Sequence, residues 1–142
     1  MPPNTYGVMY ANMDIAIAPL AYNPFNDSKS EIKIAEAGRY KVPLVASNVG
    51  CYDEVITNGV NGILLPPDAN KSQWAKALAG LIKDKKKIVQ MGEALHEVTE
   101  EYYDINKVIK DRLSLYKMAF NMLGEDPRNK RLKNDKNNLG VE

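Results

Sequence analysis

Only one cysteine, Cys51, and one histidine, His96, occur among the 142 residues. A single thiol closes no internal disulfide, and a zinc site draws its roughly four ligands mainly from these two residue types. No metal site is therefore expected, and a Cys–His nucleophile pair has little to be built from. Charge of one sign is also missing. The formal net charge is +1, which gives no general pull toward nucleic acid, so no nucleic-acid partner is expected. No run approaches the roughly 20 apolar residues that cross a bilayer. The N-terminal MPPNTYGVMY has no basic stretch followed by an apolar one, so neither a signal peptide nor a membrane span is read. These absences leave a cytoplasmic location as the expectation.

What is present suits a globular domain. Hydrophobic residues make up 44% and charged residues 26%, enough of each for a real core and a solvated surface. Residues 5–13 can form a short helix with Val8 and Met9 or Met13 turned inward. DIAIAPL follows, and its unbroken apolar run predicts a strand covered on both faces, as in a parallel sheet. A polar stretch, NPFNDSKSEIKIAEAG at 23–38, leads into a helix over about 30–37. Ser28 and Glu31 have the spacing of a capping box, Gly38 suits the C-cap, and Ile32 and Ala35 can share a face.

A second buried strand is expected at VPLVAS, 42–47, and a third at Ile63–Leu65 after the Asn58-Gly59 turn. Asn70 and Gln73 repeat the capping-box spacing ahead of a helix carrying Trp74, Ala77, Leu78 and Leu81. Further helices are expected over 85–99 and 105–123, each with apolar residues at helical spacing. Helices alternating with three strands predict an α/β layer fold. The polar segment 125–142 reads as a flexible tail, leaving 1–124 as the folded part.

In parallel sheets, ligands bind beyond the carboxyl ends of the strands. The segments 21–31, 47–52 and 65–73 fall there, and the first two run directly into helices. Backbone N–H groups and the helix dipole at such starts favour an anion. Ser28, Lys29, Ser30 and Lys33 are candidate contacts to it, and Gly50 allows close approach by a ligand. Glu36 is a candidate acceptor for paired hydroxyls such as those of a ribose. The same residues have plainer uses. Lys33 and Glu36 also fit an exposed helix pair worth about 0.2–0.5 kcal/mol, and Ser28 fits an N-cap worth about 1 kcal/mol. Asp53 and Glu54 suit a helix start, Trp74 the core, and KDKKK at 83–87 a solvated helix junction. His96 reads as solvent-facing beside Glu93 and Glu97.

The order of these pieces resembles the donor-binding part of GT-B fold glycosyltransferases, closest to the family-4-like (group 1) retaining enzymes. The residues that carry the resemblance are Pro19, Lys33 with Glu36, Pro43 through Ser47, Gly50, Glu54-Val55-Ile56, and Gly59 with Gly62. They span about 5–110, with YYDIN at 102–106 resembling the late helical region of such enzymes. The resemblance implies a truncated Rossmann-like half-domain of about three parallel strands with a helical C-terminal extension. It also implies a sugar-nucleotide site. Glu36 would bind the ribose hydroxyls, Ser30 and Lys33 the diphosphate, and Ser47, Gly50 and Tyr52 would line the nucleotide side. The donor would be a nucleoside-diphosphate sugar of UDP or GDP type, the acceptor a hydroxyl, and no further cofactor or metal would be needed.

Two features depart from the family pattern. Where the family often carries the first of two glutamates separated by seven residues, this chain has Ser28, with Asp27 adjacent. The chain also starts near the fourth strand of the second of two domains. An exposed sheet edge should then be covered by a second copy, another polypeptide or a missing upstream segment, and turnover by this chain alone is not expected. The rival readings are a non-catalytic assembly or regulatory protein using the half-domain as an interface, and an unrelated phosphate-binding module.

Overall fold

The computed structural model describes residues 3–124, and the expected tail at 125–142 lies outside them. Two compact units are present, Met1–Tyr103 and Asp104–Glu142. The first opens with a 3₁₀ helix, Pro3–Asn12, followed by β1 (Ala16–Ala18), α1 (Pro24–Asp27) and α2 (Ile32–Arg39). It continues through β2 (Leu44–Ser47), α3 (Tyr52–Val55), β3 (Gly62–Leu65), α4 (Lys71–Ile82) and α5 (Lys85–Tyr103). The three strands form one parallel sheet in the order β1-β2-β3, with Ala16 opposite Leu44 and Leu44 opposite Gly62. This is the α/β fold that the alternation of elements predicts, as the half-domain that the resemblance implies.

Strand periodicity sorts the core into two layers. Ala16, Ala18, Leu44 and Ala46 face one way, packed with Ile34 and Ala37 of α2 and Leu95 of α5. Val45 faces the other way, with Leu81 and Met91 and the partly buried Ile63, Leu65 and Trp74. β2 is buried along its whole length, as a central parallel strand requires. β1 is not. Ile17 is 55% exposed, so the expected two-sided cover is lacking. β1 is the edge strand, and α4 packs over β3 at the opposite edge.

The entry and exit of α2 also differ from expectation. Ser28 and Glu31 make no capping box: α2 begins at Ile32, its N-cap is Glu31, and that side chain caps no backbone N–H. Ser28 instead closes α1, its hydroxyl donating to the Pro24 carbonyl at 2.8 Å. Ile32 is exposed, while Ile34, Ala37 and Gly38 form the buried face. Gly38 therefore sits inside the helix, where a Cβ would collide with Thr99 of α5. The left-handed position that closes the helix falls on Lys41, at φ 57°. Val42 N–H reaches back to the Ala37 carbonyl and Lys41 N–H to the Gly38 carbonyl, both at 3.0 Å. These are the paired bonds of a Schellman turn.

α5 approaches the same turn closely, since a Cβ on Gly92 would collide with the Lys41 carbonyl. His96 belongs to this packing rather than to solvent, with Nδ1 3.0 Å from the Gly38 carbonyl. In the 3₁₀ helix the inward residue is Tyr10, 6% exposed, while Val8, Met9 and Met13 are exposed. The Asn70–Gln73 capping box forms as the spacing predicts.

The second unit contains α6 (Ile105–Gly124). Asp104 caps its start by accepting from Asn106 N–H at 2.9 Å. Ile105, Ile109, Leu113, Tyr116 and Phe120 are all exposed. No helix among the described residues is long and apolar enough to cross a membrane.

Candidate functional site

The two loops that leave the carboxyl ends of β1 and β2 are tied to each other. Ser47, 3% exposed, accepts a hydrogen bond from Leu20 N–H on its hydroxyl oxygen at 3.0 Å. Gly50 N–H donates to Asp27 Oδ1 at 3.2 Å. Gly50 has φ 65°, and a Cβ there would lie 3.1 Å from the Asp27 carbonyl oxygen, so glycine serves both the turn and the close approach. Asp27, beside the family's first glutamate position, is thus engaged with the second loop. α1 shapes the first loop: Asn23 caps it by accepting Asn26 N–H at 2.8 Å, and Pro24 takes the first helical position.

A cavity of about 370 Å³ lies beyond the end of β1. Ser30, Lys33 and Tyr52, three of the residues singled out in the sequence, line it together with Lys29, Pro19 and Leu20. Tyr52 is otherwise buried, and burial pushes its phenol pKa upward. Lys33 also lines a second cavity, of about 410 Å³, between β1 and the 3₁₀ helix. Lys33 thus brings positive charge to both cavities, part of it offset by its ion pair with Glu36, while the Lys29 ammonium lies over the Phe25 ring at 4.6 Å.

Glu36 stands one turn further along α2 and does not line the first cavity. It faces a space of about 340 Å³ between α2 and α5, bordered by Arg39, Tyr40, Thr99 and Tyr103. Its link to the first cavity is Lys33, whose ammonium lies 2.9 Å from Glu36 Oε2. The Tyr10 hydroxyl donates to the same oxygen at 2.8 Å. Burial first, and the Glu36 carboxylate second, push the Tyr10 phenol up to about 12.

Ser28 lies apart from this convergence, its hydroxyl committed to Pro24, and Ser47 serves mainly to join the strand ends. Four participants are absent from the sequence reading of the site: Tyr10, Glu31, Cys51 and Tyr103. Glu31 accepts from Tyr103 on Oε1 at 3.0 Å and from the Cys51 thiol on Oε2 at 3.1 Å. The thiol contact is the largest reason that the Glu31 carboxyl is held below its ordinary value, its own backbone N–H the next. Burial, reinforced by Glu31, pushes Cys51 up to about 11 and raises Tyr103 well above the ordinary phenol value. Cys51 is therefore a neutral thiol at pH 7 and a poor nucleophile. Among the described residues, no three His, Cys, Asp or Glu side chains are grouped to hold a metal.

Known proteins resemble this chain in sequence and fold. The family described as Glycosyl transferases group 1 matches residues 5–84, more than half of the chain. No curated protein matches. Among solved structures, the C-terminal domain of the group 1 glycosyl transferase LpcC from Francisella tularensis is 24% identical with a TM-score of 0.62. That alignment covers 73% of this chain and 50% of LpcC's solved domain. Sucrose-phosphate synthase from Thermosynechococcus elongatus is 22% identical with a TM-score of 0.71, covering 81% of this chain and 27% of that one. HepE from Anabaena, solved in complex with UDP and glucose, is 26% identical with a TM-score of 0.60, covering 75% and 28%. The chain thus spans half the length of the first and under a third of the other two. From the match over residues 5–84 and the shared GT-B, Rossmann-like fold, this chain belongs to the group 1 glycosyl transferases, as part of their C-terminal domain.

Proposed function

We propose that this chain supplies the sugar-nucleotide-binding part of a glycosyltransferase that moves a sugar from a nucleoside-diphosphate donor to a hydroxyl acceptor. The observation that carries the reading is the placement of Ser30, Lys33 and Tyr52 around one cavity at the end of β1, with Glu36 joined to it through Lys33. The HepE complex with UDP and glucose supports a donor of the same class. In this reading Lys29, Lys33 and Ser30 hold the diphosphate, and Glu36 accepts hydrogen bonds from the ribose hydroxyls. Charge builds on the leaving nucleoside diphosphate as the bond to the sugar breaks, and cations fixed beforehand around it lower that barrier. The donor site needs no resident cofactor: lysine side chains and backbone N–H groups supply the positive charge.

The reading extends to a partner. Among the described residues no strand pairs with the outer edge of β1, and Ile17, Met9 and Met13 are exposed beside it. A parallel edge of this kind calls for cover, which a second copy, another polypeptide or a further segment of the same protein would supply. The same patch is what favours the rival reading, an assembly protein that retains the fold without the chemistry.

Calorimetric titration of the purified chain with UDP, GDP and ADP separates the two. Selective binding to one nucleotide, lost in Glu36→Ala, is the expected result. A folded chain that dimerises and binds none of the three would overturn the donor-site reading in favour of assembly. Pyrophosphate binding that is indifferent to Glu36 would reduce the site to an anion pocket.

A further inference from the structure

We propose that Tyr10 is a positioning residue for the Glu36 carboxylate, holding one of its oxygens so that the other is presented to the ribose of a nucleoside diphosphate. The inference rests on the donor-site reading above and adds to it a residue from outside the resemblance motifs.

Both hydrogen bonds at Glu36 fall on a single oxygen. The Tyr10 hydroxyl reaches Oε2 at 2.8 Å and the Lys33 ammonium reaches the same atom at 2.9 Å, while Oε1 accepts none among the described residues. The Glu36 side chain is 23% exposed, so a ligand can reach it, and it is enclosed enough for its orientation to matter.

The two donors are not equivalent. Lys33 is 42% exposed and faces both cavities at the β1 edge, so an incoming diphosphate competes with Glu36 for its ammonium. Tyr10 has no such freedom. It is 6% exposed, and its ring is stacked on Tyr40 at 6.2 Å with planes 14° apart. Gly7 lies so close to the Tyr40 ring that a Cβ there would collide with it, which fixes the 3₁₀ helix against the end of α2.

When Lys33 turns to the diphosphate, Tyr10 is the donor that stays. It keeps Oε2 satisfied and the carboxylate plane fixed, so the hydroxyls meet an acceptor already in place, with less side-chain freedom left to lose. Being neutral, it leaves the full carboxylate charge for those hydroxyls, and charge-assisted bonds of this kind are about twice as strong as neutral ones.

The test uses the full chain and Tyr10→Phe, which keeps the ring, its burial and its stack on Tyr40. Each is titrated with UDP, 2′-deoxy-UDP, GDP, 2′-deoxy-GDP and pyrophosphate. The expected result is roughly a tenfold loss of ribonucleotide affinity in Tyr10→Phe, a shrunken preference for ribo- over deoxyribonucleotide, and unchanged pyrophosphate binding. An undiminished preference for ribose in Tyr10→Phe would overturn the role of Tyr10 and leave the donor site standing. Equal losses for every ligand would show a purely structural tyrosine and overturn it as well. If the wild-type chain binds neither nucleotide, the donor-site reading fails and this inference fails with it. A second measurement needs no variant. With ring-labelled tyrosine, the Tyr10 NMR signal should shift further on saturation with the bound ribonucleotide than with its 2′-deoxy counterpart; equal shifts would overturn the proposal.

Discussion

α2 carries two carboxylates, Glu31 at its N-cap and Glu36 in its second turn, and each is hydrogen-bonded by a tyrosine distant in sequence. They differ in how fully their oxygens are used. Glu31 spends Oε1 on Tyr103 and Oε2 on Cys51, joining the starts of α2 and α3 to the end of α5. Glu36 gathers Tyr10 and Lys33 on Oε2 alone. A carboxylate with both oxygens engaged inside the protein acts as a clasp. One with an oxygen to spare can still meet a ligand. Within one helix, saturation separates a structural acid from a candidate binding acid better than residue type or exposure does.

The most forceful way to break that contrast is to remove each acid in turn. Glu36→Ala should cost at least about 30-fold in nucleotide affinity, from the lost charged hydrogen bonds, together with about 1 kcal/mol of stability, since the Tyr10 hydroxyl loses this acceptor. Glu31→Ala should leave affinity within about threefold and lower stability by about 1–3 kcal/mol, since Tyr103 and Cys51 lose their acceptor. Calorimetry and urea unfolding on the same samples decide the matter; a matching pattern from both variants would erase the distinction.

A milder probe follows the thiol. Glu31→Gln keeps the shape and removes the charge, so Cys51 should titrate below its present value of about 11 and alkylate severalfold faster at pH 8. Glu36→Gln should leave that rate alone. Iodoacetamide kinetics would show either.

Acid should sharpen the contrast further. The folded Glu31 carboxyl lies below its ordinary value of 4.5, so its stabilising share is fully present above that value and is lost as the pH falls through the depressed folded one. The gap in unfolding free energy between wild type and Glu31→Gln should therefore narrow below about pH 4. A gap that stays constant down to pH 2 would contradict the clasp. The smallest effect is expected from Tyr103→Phe, about 1 kcal/mol of stability with unchanged nucleotide affinity. Tyr10→Phe, by contrast, acts on affinity.

The sequence discloses much of this architecture because several signals are local. Asn70 and Gln73 cap one helix at fixed spacing, Gly59 takes a left-handed turn at φ 82°, and VPLVAS is apolar enough to be a central strand. Signals that depend on a distant neighbour mislead. Gly38 looks like a helix stop, yet it is small because Thr99 packs on it, and Lys41 takes the stop instead. Ser28 and Glu31 have the spacing of a cap, but α1 claims the serine, and the thiol and phenol claim the glutamate. At the candidate site, Ser30 and Lys33 are legible because they follow the end of β1, and Tyr52 through the family resemblance. Tyr10 is not, because nothing within a helical turn of it points to an acid 26 positions away.

The stitches between the two loops carry a kinetic consequence. Leu20 N–H is held by Ser47 and Gly50 N–H by Asp27, each bond crossing from one loop to the other. Neither loop can swing out without cutting bonds that hold its neighbour, so both should open as one cooperative unit. Their amides should then exchange with deuterium at a common rate, and a ligand touching only the first loop should slow exchange in the second.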